Sequence, residues 1–176
     1  MRNRMLKVLM VTAAVAGATT SLSAQTTFGV MGGASVPMGD FKDAGGKTGW
    51  VAGAGVEMAI KPTVGFKVDA TYGSNKFETA TLKTNIINVN GSVVLHFAGS
   101  AGAQPYVQAG VGYISSKTSI SGVSGDSEGE MAISGGIGVN FGSMLFAEGR
   151  YMNGLHEGGG THYLTFVGGI HFGGKK

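Results

Sequence analysis

The stretch Val64-Gly65-Phe66-Lys67-Val68-Asp69-Ala70-Thr71-Tyr72 alternates at every step, with valine, phenylalanine, alanine and tyrosine on even positions and glycine, lysine, aspartate and threonine on odd ones. Successive side chains of an extended chain point to opposite faces, so this segment reads as a strand with one face of hydrocarbon and one of glycine and charge. The same alternation recurs at 26–36, 49–60, 64–73, 84–97, 105–114, 131–141, 144–153 and 161–172. Each run is about ten residues, the length of a tilted strand that crosses a bilayer.

Aromatic residues mark the two ends of these runs. Phe28, Phe66, Phe97, Phe141 and Phe172 fall at one end, Trp50, Tyr72, Tyr113 and Tyr151 at the other, always on the apolar parity. Tryptophan and tyrosine join an apolar ring to a polar handle and settle where hydrocarbon gives way to headgroups, and transmembrane barrels carry aromatic girdles at both levels. The expected fold is all-β, an eight-stranded antiparallel up-and-down transmembrane β-barrel.

The opposite parity supplies the interior. Within the strands the charged residues are Glu57, Lys67, Asp69, Glu148 and Arg150, all on the inward parity. A soluble barrel turned the other way would need many more charges on its wet face. Glycines at 29, 33, 53, 55, 65, 110, 112, 136, 138 and 169 share the inward parity with the larger Tyr106, Gln108, Asn140, Tyr163 and His171. Small and large residues sharing a narrow lumen is how eight strands fill their interior. Unpaired charge there is costly, so the five ionised residues are expected to pair as a lumen polar network; a gate or a catalytic pair are the alternatives.

The predicted connections 37–48, 74–83, 115–130 and 154–160 are polar and mostly long, 61–63 and 142–143 are tight, and 98–104 is looser. Long loops at one end and short turns at the other suit an outer-membrane barrel, with both termini and the phenylalanine ring periplasmic and the Trp/Tyr ring extracellular.

Upstream, Arg2, Arg4 and Lys7 precede an apolar run from Val8 to Ala18 and the small residues Ser21-Leu22-Ser23-Ala24. This reads as a secretory signal peptide over 1–24, cut after Ala24 or Ser23, with a barrel domain over 25–176. Removing those three basic residues lowers the thirteen Lys and Arg to ten, equal to the ten Asp and Glu. A neutral chain without a basic cluster has no electrostatic footprint for nucleic acid. With no cysteine, disulfide and thiolate chemistry are excluded.

The sequence resembles the small outer-membrane β-barrel family typified by OmpA and OmpX. The resemblance spans the expected barrel, through Val36-Pro37-Met38-Gly39-Asp40-Phe41, Gly53-Ala54-Gly55-Val56-Glu57, Pro105-Tyr106-Val107-Gln108-Ala109-Gly110-Val111-Gly112-Tyr113 and the closing Ile170-His171-Phe172. It implies a bacterial outer-membrane location, lipid and lipopolysaccharide as surroundings, the barrel-assembly machinery as a partner in biogenesis, and a monomer. The implied role is structural or narrowly porin-like, with adhesion through extracellular loops as the alternative.

Enzymatic chemistry has little support. His96 and His171 point inward near one end, His156-Glu157 lies in the last loop, and His162 takes the lipid-facing parity. A lipid-modifying enzyme would set a rim histidine beside a hydroxyl and a carboxylate. Thr161, Tyr163 and Thr165 all face away from His162, so no catalytic residue, metal ligand or cofactor is expected.

Overall fold

The structure, a computed structural model, describes residues 26–77, 82–120, 123–155 and 161–173, without the side chains at 82, 120 and 123–126. The expected signal segment 1–24 and the loop pair His156-Glu157 lie outside the described residues. The elements are β1 (Thr26–Met38), a single helical turn α1 (Gly39–Asp43), β2 (Gly49–Lys61), β3 (Val64–Lys76), β4 (Leu82–His96), β5 (Ala103–Ile120), β6 (Val123–Phe141), β7 (Leu145–Gly154) and β8 (His162–Gly173). Each strand pairs antiparallel with the next, and β8 pairs back onto β1, closing an up-and-down barrel.

Closure is staggered. Paired residues followed around the wall run Thr27, Glu57, Lys67, Ser92, Gly110, Ser134, Met152 and Tyr163, and return to β1 at Pro37, ten residues beyond the start. Eight strands with that stagger tilt at about 40° to the axis and leave a lumen only wide enough for side chains. The β1–β8 seam is glycine-rich: it pairs Gly29 with His171, Met31 with Gly169, Gly32 with Gly168 and Gly33 with Val167.

The parity of the sequence sets what faces outward. Ile137 is 68% exposed, and Leu95, Val93, Val111 and Ile133 are exposed as well, whereas Lys67, Asp69, Glu148 and Arg150 are buried inside. Phe28 pairs with Phe172 at the end of the tight turns, and Phe97 and Phe141 are exposed at the same end. At the loop end Trp50 packs against Tyr72 with ring centroids 5.5 Å apart.

Two segments expected as polar loops are strands instead. Residues 74–76 and 82–83 extend β3 and β4, and most of 115–130 is a hairpin in which Ser115 pairs with Gly129 and Ser116 with Glu128, with a bulge between Lys117 and Ser119. Serine, threonine and isoleucine without proline pair readily where water wets both faces, so polarity there signals emergence from the membrane, not the end of the sheet. The longer strands carry further charges, among them Lys61, Lys76, Lys83 and Lys117.

The connection after β1 folds inward over the loop-end mouth. Phe41 on α1 packs on buried lumen residues and meets Phe77 edge-on at 5.8 Å. Asn75, buried, donates through Nδ2 to the carbonyls of Ser35 and Lys47, and the Lys47 amide donates to the Lys76 carbonyl.

Glycine is demanded at crowded inward positions and optional where the outer wall is open. A Cβ at Gly33 would overlap the Phe166 carbonyl, while one at Gly135, on the outer face, meets nothing within 4 Å. Gly33→Ala is therefore expected to destabilise the refolded barrel by about 1–3 kcal/mol, and Gly135→Ala to leave it unchanged or slightly more stable. Urea titration followed by gel mobility measures both.

Candidate functional site in the barrel interior

Lys67 and Asp69 on β3 and Glu148 and Arg150 on β7 reach toward one another across the lumen. Each pair is an i,i+2 neighbour set on one face of its strand, so every long side chain points at the axis. Lys67 Nζ donates to Glu148 Oε2 at 2.7 Å, and Arg150 donates from Nε (3.0 Å) and Nη2 (2.6 Å) to Glu148 Oε1. Arg150 Nη1 donates to Asp69 Oδ1 at 2.7 Å, and the Tyr106 hydroxyl donates to Glu148 Oε2 at 2.9 Å. Two cations and two anions balance. Charge-assisted bonds of this kind, with two Arg150 donors on one carboxylate oxygen, are what make burial of four ions tolerable.

Around this lattice lie smaller polar groups. Asn90 donates to Ser92 Oγ at 2.6 Å, and Ser134 donates to Asn90 Oδ1 at 3.0 Å. Lys67 Nζ also sits 5.7 Å from the centre of the Phe146 ring, within cation–π range.

Glu57, expected with the other four, stands apart from them. Its Oε1 lies 2.6 Å from His96 Nε2, toward the tight-turn end. Glu57 is on β2 and His96 on β4, with Gly65 of β3 between them. Since a Cβ at Gly65 would come within 2.6 Å of Glu57 Oε1, the absent side chain is what lets the carboxylate cross to His96. His96 also tilts against Tyr106, with ring centroids 5.7 Å apart, and His171 stacks on Phe146 at 4.4 Å.

The interior is not uniformly polar, as the alternation implied it would be. Met31, Val51, Phe146 and Val167 form one buried apolar cluster, and Ile86, Ile114, Ala132, Met152 and Tyr163 form another beneath Phe41. All take the inward parity, and of them only Tyr163 was singled out as inward from the sequence. The charge lattice is thus flanked by hydrocarbon on the loop side. A cavity of about 10 Å³ remains between Asn88, Arg150, Met152, Tyr163, Thr165 and Val167, about the space of one water molecule.

Among the described residues no hydrogen bond joins a serine or threonine hydroxyl to a histidine as a nucleophile to its base. His162 is at the exposed rim with Nδ1 3.5 Å from the Tyr151 hydroxyl. Among the described residues no three His, Cys, Asp or Glu side chains converge as a metal site.

Residues 8–164 match the family model described as outer membrane protein beta-barrel domain. No curated protein matches the sequence at a significant level. Solved structures with a similar fold include Neisserial surface protein A, at 14% identity and a TM-score of 0.63, covering 83% of this chain and 94% of that one. The attachment invasion locus protein Ail of Yersinia pestis is similar at 14% identity and a TM-score of 0.54, covering 86% and 100%. The outer membrane protein OprG of Pseudomonas aeruginosa follows at 12% identity and a TM-score of 0.52, covering 85% and 97%. At such identities the likeness is one of fold.

Removing one partner of a buried ion pair costs more than the pair contributes, because the other charge is stranded. Arg150→Met is expected to destabilise the barrel by about 3–5 kcal/mol, and adding Asp69→Asn to recover part of that loss. A double-mutant cycle by urea unfolding measures the recovery; strictly additive losses would show that the two side chains do not couple.

Proposed function

The chain belongs to the outer membrane protein beta-barrel domain family, and from that premise we propose that it is a closed, non-enzymatic envelope barrel whose lumen is plugged by its own side chains. The observation that carries this is the pairing of a neutral four-ion lattice with an apolar cover, with a cavity of only about 10 Å³ beside Arg150 and Tyr163 where the two meet. A hydrated solute needs a continuous polar path. Here Ile86, Ile114, Met152 and Tyr163 interrupt it above the ions, with Phe41 above them.

On this reading the tight-turn end and both termini are periplasmic and the tall hairpin faces outward. The protein works as a monomer, receives the barrel-assembly machinery only during biogenesis, and uses no cofactor. Among the described residues His162 meets the Tyr151 hydroxyl and no serine or carboxylate, which supports a non-enzymatic role over lipid modification.

A second role, recognition at the cell surface, is favoured by the β5–β6 hairpin. β7 ends at Gly154 opposite Ala132, so among the described strands β6 beyond Met131 pairs with β5 alone. A rigid ladder presents its side chains in fixed register, which suits a binding surface better than a slack loop.

Wild-type protein refolded into planar bilayers is expected to give no resolved current steps, and Phe41→Ala combined with Arg150→Ala to give small ones. Steady conductance from the wild type would overturn the plugged lumen. Replacing residues 116–128 by an Asn-Gly turn should leave the barrel folded and reduce adherence of cells bearing it; undiminished adherence would remove the recognition role.

A further inference from the structure

Lys76, Lys83 and Lys117 come from three neighbouring strands and share one face of the emergent sheet. Lys76 is the direct cross-strand partner of Lys83, Lys83 pairs with Ser119, and Lys117 pairs with Asn85, two residues along β4 from Lys83. Their parity is that of Tyr72, Ile87 and Tyr113, which are exposed on the outer wall. The residues between them face the other way: Asn75 and Thr84 are buried, and Thr84 meets the Thr118 hydroxyl at 2.9 Å.

Each lysine stands four residues beyond an exposed residue at the loop-end aromatic level, Lys76 after Tyr72, Lys83 before Ile87 and Lys117 after Tyr113. At the tilt of this wall that is about 10 Å above the aromatic band. Tyrosine rings lie at the headgroup boundary, so the ammonium groups reach the layer of lipid phosphates.

Like charges directly opposite on neighbouring strands repel one another, with Cβ atoms about 5 Å apart. Among the described residues none of the three lysines has a carboxylate within ion-pair distance. Glu128 and Glu130 of the adjoining strand have the inward parity, and Glu130 accepts from the Thr161 amide. Glu78 and the Asp126 side chain lie outside the described residues. The face therefore concentrates positive charge where a membrane barrel meets anionic headgroups.

We propose that Lys76, Lys83 and Lys117 form a binding site for a phosphate-bearing lipid headgroup of the outer leaflet, its acyl chains lying on the wall below. The outward parity commits the site to a lipid over a soluble anion, since a ligand seated there rests against Tyr72, Ile87 and Tyr113. The site rests on the orientation proposed above, with the hairpin outward.

The test uses full-length mature protein refolded in mixed micelles with lipid A carrying brominated acyl chains, bis-phosphorylated or dephosphorylated. Trp50, the chain's single tryptophan, lies against Tyr72 at the same level and reports bound chains by quenching. Wild type should prefer the bis-phosphorylated lipid by about ten-fold or more, a preference that K76Q/K83Q/K117Q loses and that K61Q, at the opposite end, retains. Equal quenching by both lipids, or an unchanged preference in the triple variant, overturns the site. Displacement by millimolar pyrophosphate overturns its assignment to lipid. Orientation is read separately by labelling Ser127→Cys on intact cells with a membrane-impermeant maleimide, in a chain that has no other cysteine. Labelling supports the outer-leaflet assignment. Failure to label overturns it while leaving the micelle result to judge the phosphate site.

Discussion

A polypeptide in hydrocarbon has to satisfy every backbone amide and carbonyl from within itself, and this chain does so by closing β8 onto β1. Much else follows from that closure. It fixes the stagger, the stagger fixes the tilt and the bore, and the bore decides that side chains from opposite walls touch. Lys67 and Glu148 are far apart in sequence and sit on strands well separated around the wall, yet their charged ends meet at 2.7 Å.

Once the wall faces oil, the usual division of labour between surface and core inverts. Exposed isoleucines and valines carry no penalty on the outside, and cohesion has to come from polar pairing and packing within the bore. The interior answers with two chemistries. Ions hold β3 to β7 through Glu148, which takes bonds from Lys67, Tyr106 and Arg150, and aliphatic residues with Tyr163 fill the section above. Glycine supplies the remaining room, as at Gly65, where its bare backbone lets Glu57 reach His96.

The alternation at Val64–Tyr72 was enough to specify the wall and its facing, and its recurrence in eight segments gave the strand number, because period two is a backbone property that lipid leaves visible. Lys67, Asp69, Glu148 and Arg150 were legible as inward for the same reason. What parity could not give was azimuth and reach. Glu57 shares the inward face, but whether it turns to Lys67 or to His96 depends on Gly65 and on the stagger, neither of which one strand reveals. Phe146 and Met152 share the inward parity of Glu148 and Arg150 but were not singled out, since the search of that face was for glycine, amide and charge and an apolar residue there carries no such signal. The hairpin across 115–130 was hidden by polarity, which separates membrane from water and not strand from loop.

The glycine-rich seam between the first and last strands has a consequence for how the ring comes to be shut. Toward either end of this seam side chains interlock as well as amides, Phe28 with Phe172 and Val36 with Leu164 among them, but from Met31–Gly169 to Gly33–Val167 the two edges of the sheet have little besides the peptide ladder to grip with. Such a join resembles a zip with smooth teeth: slow to catch, free to slide while unfinished, and secure only when the whole row has engaged. Lateral stretch across the middle of this line is accordingly resisted by backbone bonds more than by side chains.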